Sequence, residues 1–215
     1  MDGRGSKVSL QVFSLVKMNM RHNSILHIGL SVLVLLLTPV LFGMTGLDEA
    51  ASAAPLEMLV ALIGIILLTP VFLPEQNPET EELVSSKYVS SSVIYIIRVL
   101  YSLAVLMLLI LLFAVYMRES GCSISAALVC GTIADAVFLG GLGIVTAALT
   151  GNTATAYMVP VMYYALCFGG GKKLGAFYLF SMTEGDYAGK PWMLAAGLLM
   201  TGLALWIKEL KRRWR

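Results

Sequence analysis

The chain is 215 residues long, with 58% hydrophobic and 13% charged residues. Soluble domains carry roughly 25% charged residues, so this composition excludes an ordinary soluble globular protein and points to an integral membrane protein. A formal net charge of +2 is too small to make nucleic acid a partner, and the basic residues cluster where they would flank a membrane.

In chain order, residues 7–21 read as an amphipathic helix. Val8, Val12, Leu15 and Val16 share one face, and Lys7, Gln11, Ser14, Lys17 and Arg21 share the other. Such a helix suits the inner leaflet of a membrane. Apolar runs then fall at 25–44, 56–73, 93–117, 124–149, 153–170 and 192–207. A spanning helix needs about 20 apolar residues, so the sequence predicts an all-α polytopic protein with about six transmembrane helices. Residues 175–182 are apolar enough to dip into the bilayer as well.

The segments divide as a cytoplasmic amphipathic helix (1–24), a six-helix transmembrane domain (25–207) with a cytoplasmic loop at 74–92, and a basic tail (208–215). The first and last segments are rich in Lys and Arg, whereas 43–55 carries only Asp48 and Glu49. The positive-inside bias therefore predicts a multi-pass protein of the cell membrane with both termini cytoplasmic. Lys172, Lys173 and Lys190 are exceptions, since they would flank an outer loop.

The 74–92 loop has helix signals of its own. Asn77 suits an N-cap, Pro78 the first helical position, and Glu79, Glu81 and Glu82 the positive end of the helix dipole. A short acidic helix from 78 to about 86 is expected. The spacing of Glu75, Thr80, Glu82, Val84, Ser86 and Arg98 resembles the loop after the second span in type-2 ABC exporter permeases. Glu79, Tyr88 and Ser91 stand where that family more often has Gly, Pro and Arg. The resemblance implies that this helix couples to a separate ABC ATPase subunit, with Leu83 and Val84 as apolar anchors. It further implies a second permease copy or a related permease across the pathway. ATP and Mg would sit on the ATPase, and this chain would bind no cofactor and carry no active site.

The residues agree with a chain that lacks its own motor. The nearest approach to a phosphate-binding loop, Gly169-Gly170-Gly171-Lys172-Lys173, has Lys where Ser or Thr must hold Mg. Three cysteines with no paired spacing suggest neither a disulfide framework nor a metal site, and His22 and His27 read as interfacial residues. Asp135 is the one acid deep within a predicted span. An ionisable group there is costly and marks either a polar pathway, a subunit contact, or a brace for the bundle aided by Thr132. Arg98 is close enough to its span's end to snorkel inward. Tyr157, with Tyr163 and Tyr164, could line a pathway, although an interfacial aromatic belt explains the last two equally well. Glycines 131, 140, 141, 143, 197 and 202 suit close helix packing. A different class remains open alongside the exporter: a stand-alone membrane sensor or scaffold, or an intramembrane enzyme whose acid is Asp135.

Overall fold

A computed structural model describes residues 25–76 and 91–213. Among them every regular element is helical. The elements are α1 (Ile25–Phe42), α2 (Glu49–Met58), α3 (Ile63–Leu68), α4 (Ser91–Glu119), α5 (Ala126–Thr150), α6 (Thr153–Gly170) and α7 (Lys190–Arg213). A short 3-10 turn joins α2 to α3, and a longer one, Thr69–Gln76, follows. Together they make one interrupted span, Glu49–Phe72. Five helices are long and apolar enough to cross a membrane, which makes this an all-α polytopic membrane protein. The 18-residue α6 is not among the five; it is diluted by three tyrosines and by threonine at its start.

Local chemistry sets the helix ends. The side chain of Asp48 accepts from the Ala51 amide at 2.8 Å, Ser125 from Leu128 at 3.3 Å and Asn152 from Ala154 at 2.8 Å, each satisfying a donor the helix cannot. Gly151 closes α5 at φ 66°, a left-handed position glycine adopts without strain. The Asp48 cap corrects one expectation: 43–55 is not a loop throughout, because α2 starts at Glu49. That moves Glu57 from the edge of a span to its interior. The last span is likewise longer than the apolar run suggested, since α7 continues through its basic residues to Arg213.

Three connectors gather at one end of the bundle. The Ser123 amide donates to the Leu47 carbonyl at 2.9 Å, and the Gly46 amide reaches the Ser120 carbonyl at 3.4 Å. The Tyr187 hydroxyl sits 3.3 Å from Glu49. At the opposite end, Lys211 donates to the Ala148 and Leu149 carbonyls at 3.0 and 2.7 Å, closing the C-terminus of α5. Lys208 lies 5.0 Å from the Phe72 ring centroid, and Phe72 packs edge-on against Tyr95 of α4. So α7 ends at the same end of the bundle as the turn before α6 and the start of α4. Among the described residues five helices are of spanning length and apolarity, and α6 would make a sixth.

At the centre, α5 packs on α7, α6 and α3. Small residues bring the backbones together. A Cβ on Gly64 would fall 2.0 Å from the Ala136 carbonyl oxygen, and one on Gly141 would fall 2.8 Å from that of Gly197. Gly202, by contrast, has nothing within 4 Å. The span Glu49–Phe72 and α5 are largely buried, whereas α1, α4 and α7 leave most of their leucine, isoleucine and valine surface open, as lipid-facing helices do.

Candidate functional site

Between α6 and α7 the chain does not simply loop from one helix to the next. The 3-10 turns Gly171–Phe177 and Met182–Glu184 flank a segment whose Leu179, Phe180, Ser181 and Met182 are all buried. Positive φ at Gly171, Gly175 and Gly185 (49°, 57° and 78°) allows the reversals. Non-helical backbone at membrane depth is tolerated only where protein buries it, and here aromatic groups do so. Tyr163 donates to the Phe177 carbonyl. Tyr164 donates at 2.6 Å to the Met58 carbonyl, which the break between α2 and α3 has freed. The Phe180 ring packs against Tyr164, Phe168 and Tyr178. Within this segment residues 179–182 are buried in the bundle, whereas Gly175, Ala176 and Phe177 are exposed. Tyr163 and Tyr164 tie this segment and α2 through their hydroxyls.

Beneath the segment lies a buried charge cluster. Lys190, the first residue of α7, is followed by Pro191, whose missing N–H costs nothing at a helix start. The Lys190 ammonium donates to Glu57 Oε1 at 2.8 Å, to Asp135 Oδ1 and Oδ2 at 2.9 and 2.7 Å, and to the Leu179 carbonyl at 2.6 Å. Glu57 also accepts from the Met182 amide at 2.8 Å and the Thr183 amide at 3.2 Å. Glu57 and Asp135 are fully buried and Lys190 is 4% exposed. At 1.5 Å per residue, Glu57 and Asp135 sit about 12–14 Å from the starts of their helices, well into a ~30 Å hydrocarbon core. Three helices and the re-entrant segment thus meet on one ammonium group.

Gly131 makes room for this junction, because a Cβ there would fall 2.2 Å from the Met182 sulfur and 3.4 Å from Lys190 Cγ. Above it, Tyr187 bonds Glu49; burial, and then the Glu49 carboxylate, push the Tyr187 phenol above its usual range. The phenol therefore stays a donor at the mouth of the connector layer.

Asp135 accordingly pairs inside its own chain. Thr132 does not brace it: its hydroxyl donates to the Leu128 carbonyl of the same helix at 2.8 Å. Asp135 is also not the one acid deep within a span, because Glu57 lies at similar depth. Lys190 is no exposed exception to the charge bias; its counter-ions draw it inward. Arg98 reaches along the bundle toward the end where Phe72 and Lys208 meet. It is 8% exposed, and its guanidinium approaches the Val71 carbonyl at 3.5 Å. Tyr157 is partly buried against the cluster that holds Phe138 and Cys167, and no contact joins it to the charged groups among the described residues. Glu75 falls in the turn Thr69–Gln76. Thr80, Glu82, Leu83, Val84 and Ser86, and the amphipathic segment 1–24, lie outside the described residues.

Sequence reasoning missed Glu57 and Lys190 as site residues. The usable signal was charge balance: an acid in each of two apolar runs, and a single lysine ahead of a proline at the head of a third. No protein family, curated protein or solved structure matches the chain. What fold and site together define is a helical membrane protein with an ionic junction inside its bundle.

Proposed function

We propose that this chain is the transmembrane permease subunit of an ATP-driven exporter of the ABC type, working with a separate ATPase. The observation that carries the reading is the division of labour between the two ends of the bundle. Phe72 and Tyr95, on the two sides of the connector between the second and third passes, meet at the end where α7 finishes. The opposite end is closed by short hydrogen-bonded connectors and the re-entrant segment. A motor docked at the first end could move α4 and the span before it, which are joined by that connector. The second end would open and close the exit. On this reading the first end is cytoplasmic and two permeases, identical or related, enclose the pathway in the cell membrane. ATP and Mg bind the motor subunit, and this chain performs no chemistry of its own.

The test is co-purification with a candidate ATPase and its hydrolysis rate in reconstituted membranes. Buried apolar anchors carry most of the energy of such contacts, so Leu83→Asp is expected to release the ATPase or uncouple it. Unchanged co-purification and hydrolysis in Leu83→Asp would remove the proposal's support. A stand-alone sensor or scaffold would share this fold but would hold no ATPase even in the unaltered chain.

A further inference from the structure

We infer that the Glu57–Lys190–Asp135 junction is a proton-binding site, and that Asp135 is the group that holds the proton. The inference goes beyond the exporter reading and stands independently of it.

Two carboxylates face one ammonium, so the fully ionised cluster carries a net charge of −1 at a depth where isolated charge is expensive. Among the described residues no further cation contacts the junction: Lys173 in the segment's first turn is exposed, and Glu184 and Asp186 beside the second turn are acids. α1 contributes only His27, near the start of the helix, and α3 has no titratable residue. On α4, Arg118 and Glu119 lie at the connector end, Arg98 and Tyr95 near Val71 and Phe72, and Tyr101 and Tyr116 on exposed positions. α6 adds Tyr163 and Cys167, and the connector adds Tyr187, all of which are neutral or anionic groups. One bound proton brings the junction to neutrality.

The hydrogen bonds say where that proton goes. Glu57 receives three donors, the Met182 and Thr183 amides and the Lys190 ammonium, spread over both of its oxygens. Donors to a carboxylate favour its charged form. Among the described residues Asp135 accepts only from Lys190, which both of its oxygens share. Glu57 and Lys190 therefore form the standing ion pair, and Asp135 takes the proton. With Asp135 neutral, Lys190 keeps its bonds to Glu57 and Leu179, so the re-entrant segment stays tied. Loss of the proton pulls Lys190 toward a second full charge on α5.

The experiment is infrared spectroscopy of the full chain in lipid nanodiscs, following the C=O band of protonated carboxyl groups. At neutral pH one such band per chain is expected, disappearing as pH is raised. It should be absent in Asp135→Asn, which removes the group, and absent also in Glu57→Gln, which leaves one carboxylate to one ammonium and no charge for a proton to offset. In the unaltered chain, 13C-labelled aspartate should shift the band and 13C-labelled glutamate should not, which assigns it without any substitution. No protonated-carboxyl band at neutral pH would overturn the site. A band moved by labelled glutamate, or kept in Asp135→Asn, would overturn the assignment to Asp135.

Discussion

At the scale of single residues, Lys190 concentrates more consequence than any other side chain described. It ends four contacts from three elements, and its removal leaves two buried carboxyl groups without their cation. Removing one partner of a buried ion pair typically costs about 3–5 kcal/mol. Lys190→Met is therefore expected to lower the unfolding midpoint in detergent far more than Asp135→Asn, which keeps shape and an acceptor for the ammonium. Equal loss in the two variants would mean that packing, not charge, holds the junction. Tyr164→Phe leaves the Met58 carbonyl unsatisfied, and a buried polar group left so costs about 1–3 kcal/mol. That loss should appear as faster hydrogen exchange around α2, with α4 unchanged. Asp135 was legible as significant from sequence because an acid inside an apolar run is conspicuous. Its partners were not. Lys190 stands beyond the last apolar run, and only a chain that folds back on itself brings it to α5.

At the scale of elements, glycine sets how near α5 lies to its neighbours. Adding a methyl at Gly64 or Gly197 drives it into backbone, at 2.0 Å from the Ala136 oxygen and 2.8 Å from Phe138 Cα respectively. Backbone cannot rotate away as a side chain can. Gly64→Ala and Gly197→Ala are expected to destabilise by about 1–3 kcal/mol, the usual range for overpacking. Gly202→Ala faces open space and should be neutral or slightly stabilising, since alanine is the better helix former by about 1 kcal/mol. Thermal scans of the three variants in one detergent decide the matter. Helix number and type could be read from apolar runs, because a lipid-spanning segment has few alternatives. Helix ends could not. The Asp48 cap begins α2 ahead of the run's apparent start, and α7 persists past it, since capping and helix propensity act independently of hydropathy.

At the scale of the whole molecule, the two ends of the bundle should differ in what reaches them. With Cys122, Cys130 and Cys167 replaced by alanine, single cysteines at Ser120 and Gly185 are expected to react with an impermeant reagent from one side of the membrane. A cysteine at Gly151 should react only from the other. Labelling of Ser120 and Gly151 from the same side would break the six-pass arrangement. Positive-inside bias sets the orientation expected for each end, and Lys208 and Lys211 lie together beside Phe72 and the C-terminus of α5. The re-entrant segment was visible only as an apolar stretch of ambiguous length, because glycine-directed reversals leave no periodicity to read.

The ion cluster also has a history within each molecule's synthesis. Glu57 and Lys190 are 133 positions apart, and at about 5–20 residues per second the second emerges roughly 7 to 27 s after the first. Through that interval the second span must wait with its acid unanswered, at the membrane surface or loosely held within the insertion machinery. The acid is answered only when the lysine at the head of α7 has been made. A nascent chain stopped short of residue 190 should be a preferred target of membrane proteases, while one stopped after α7 should survive.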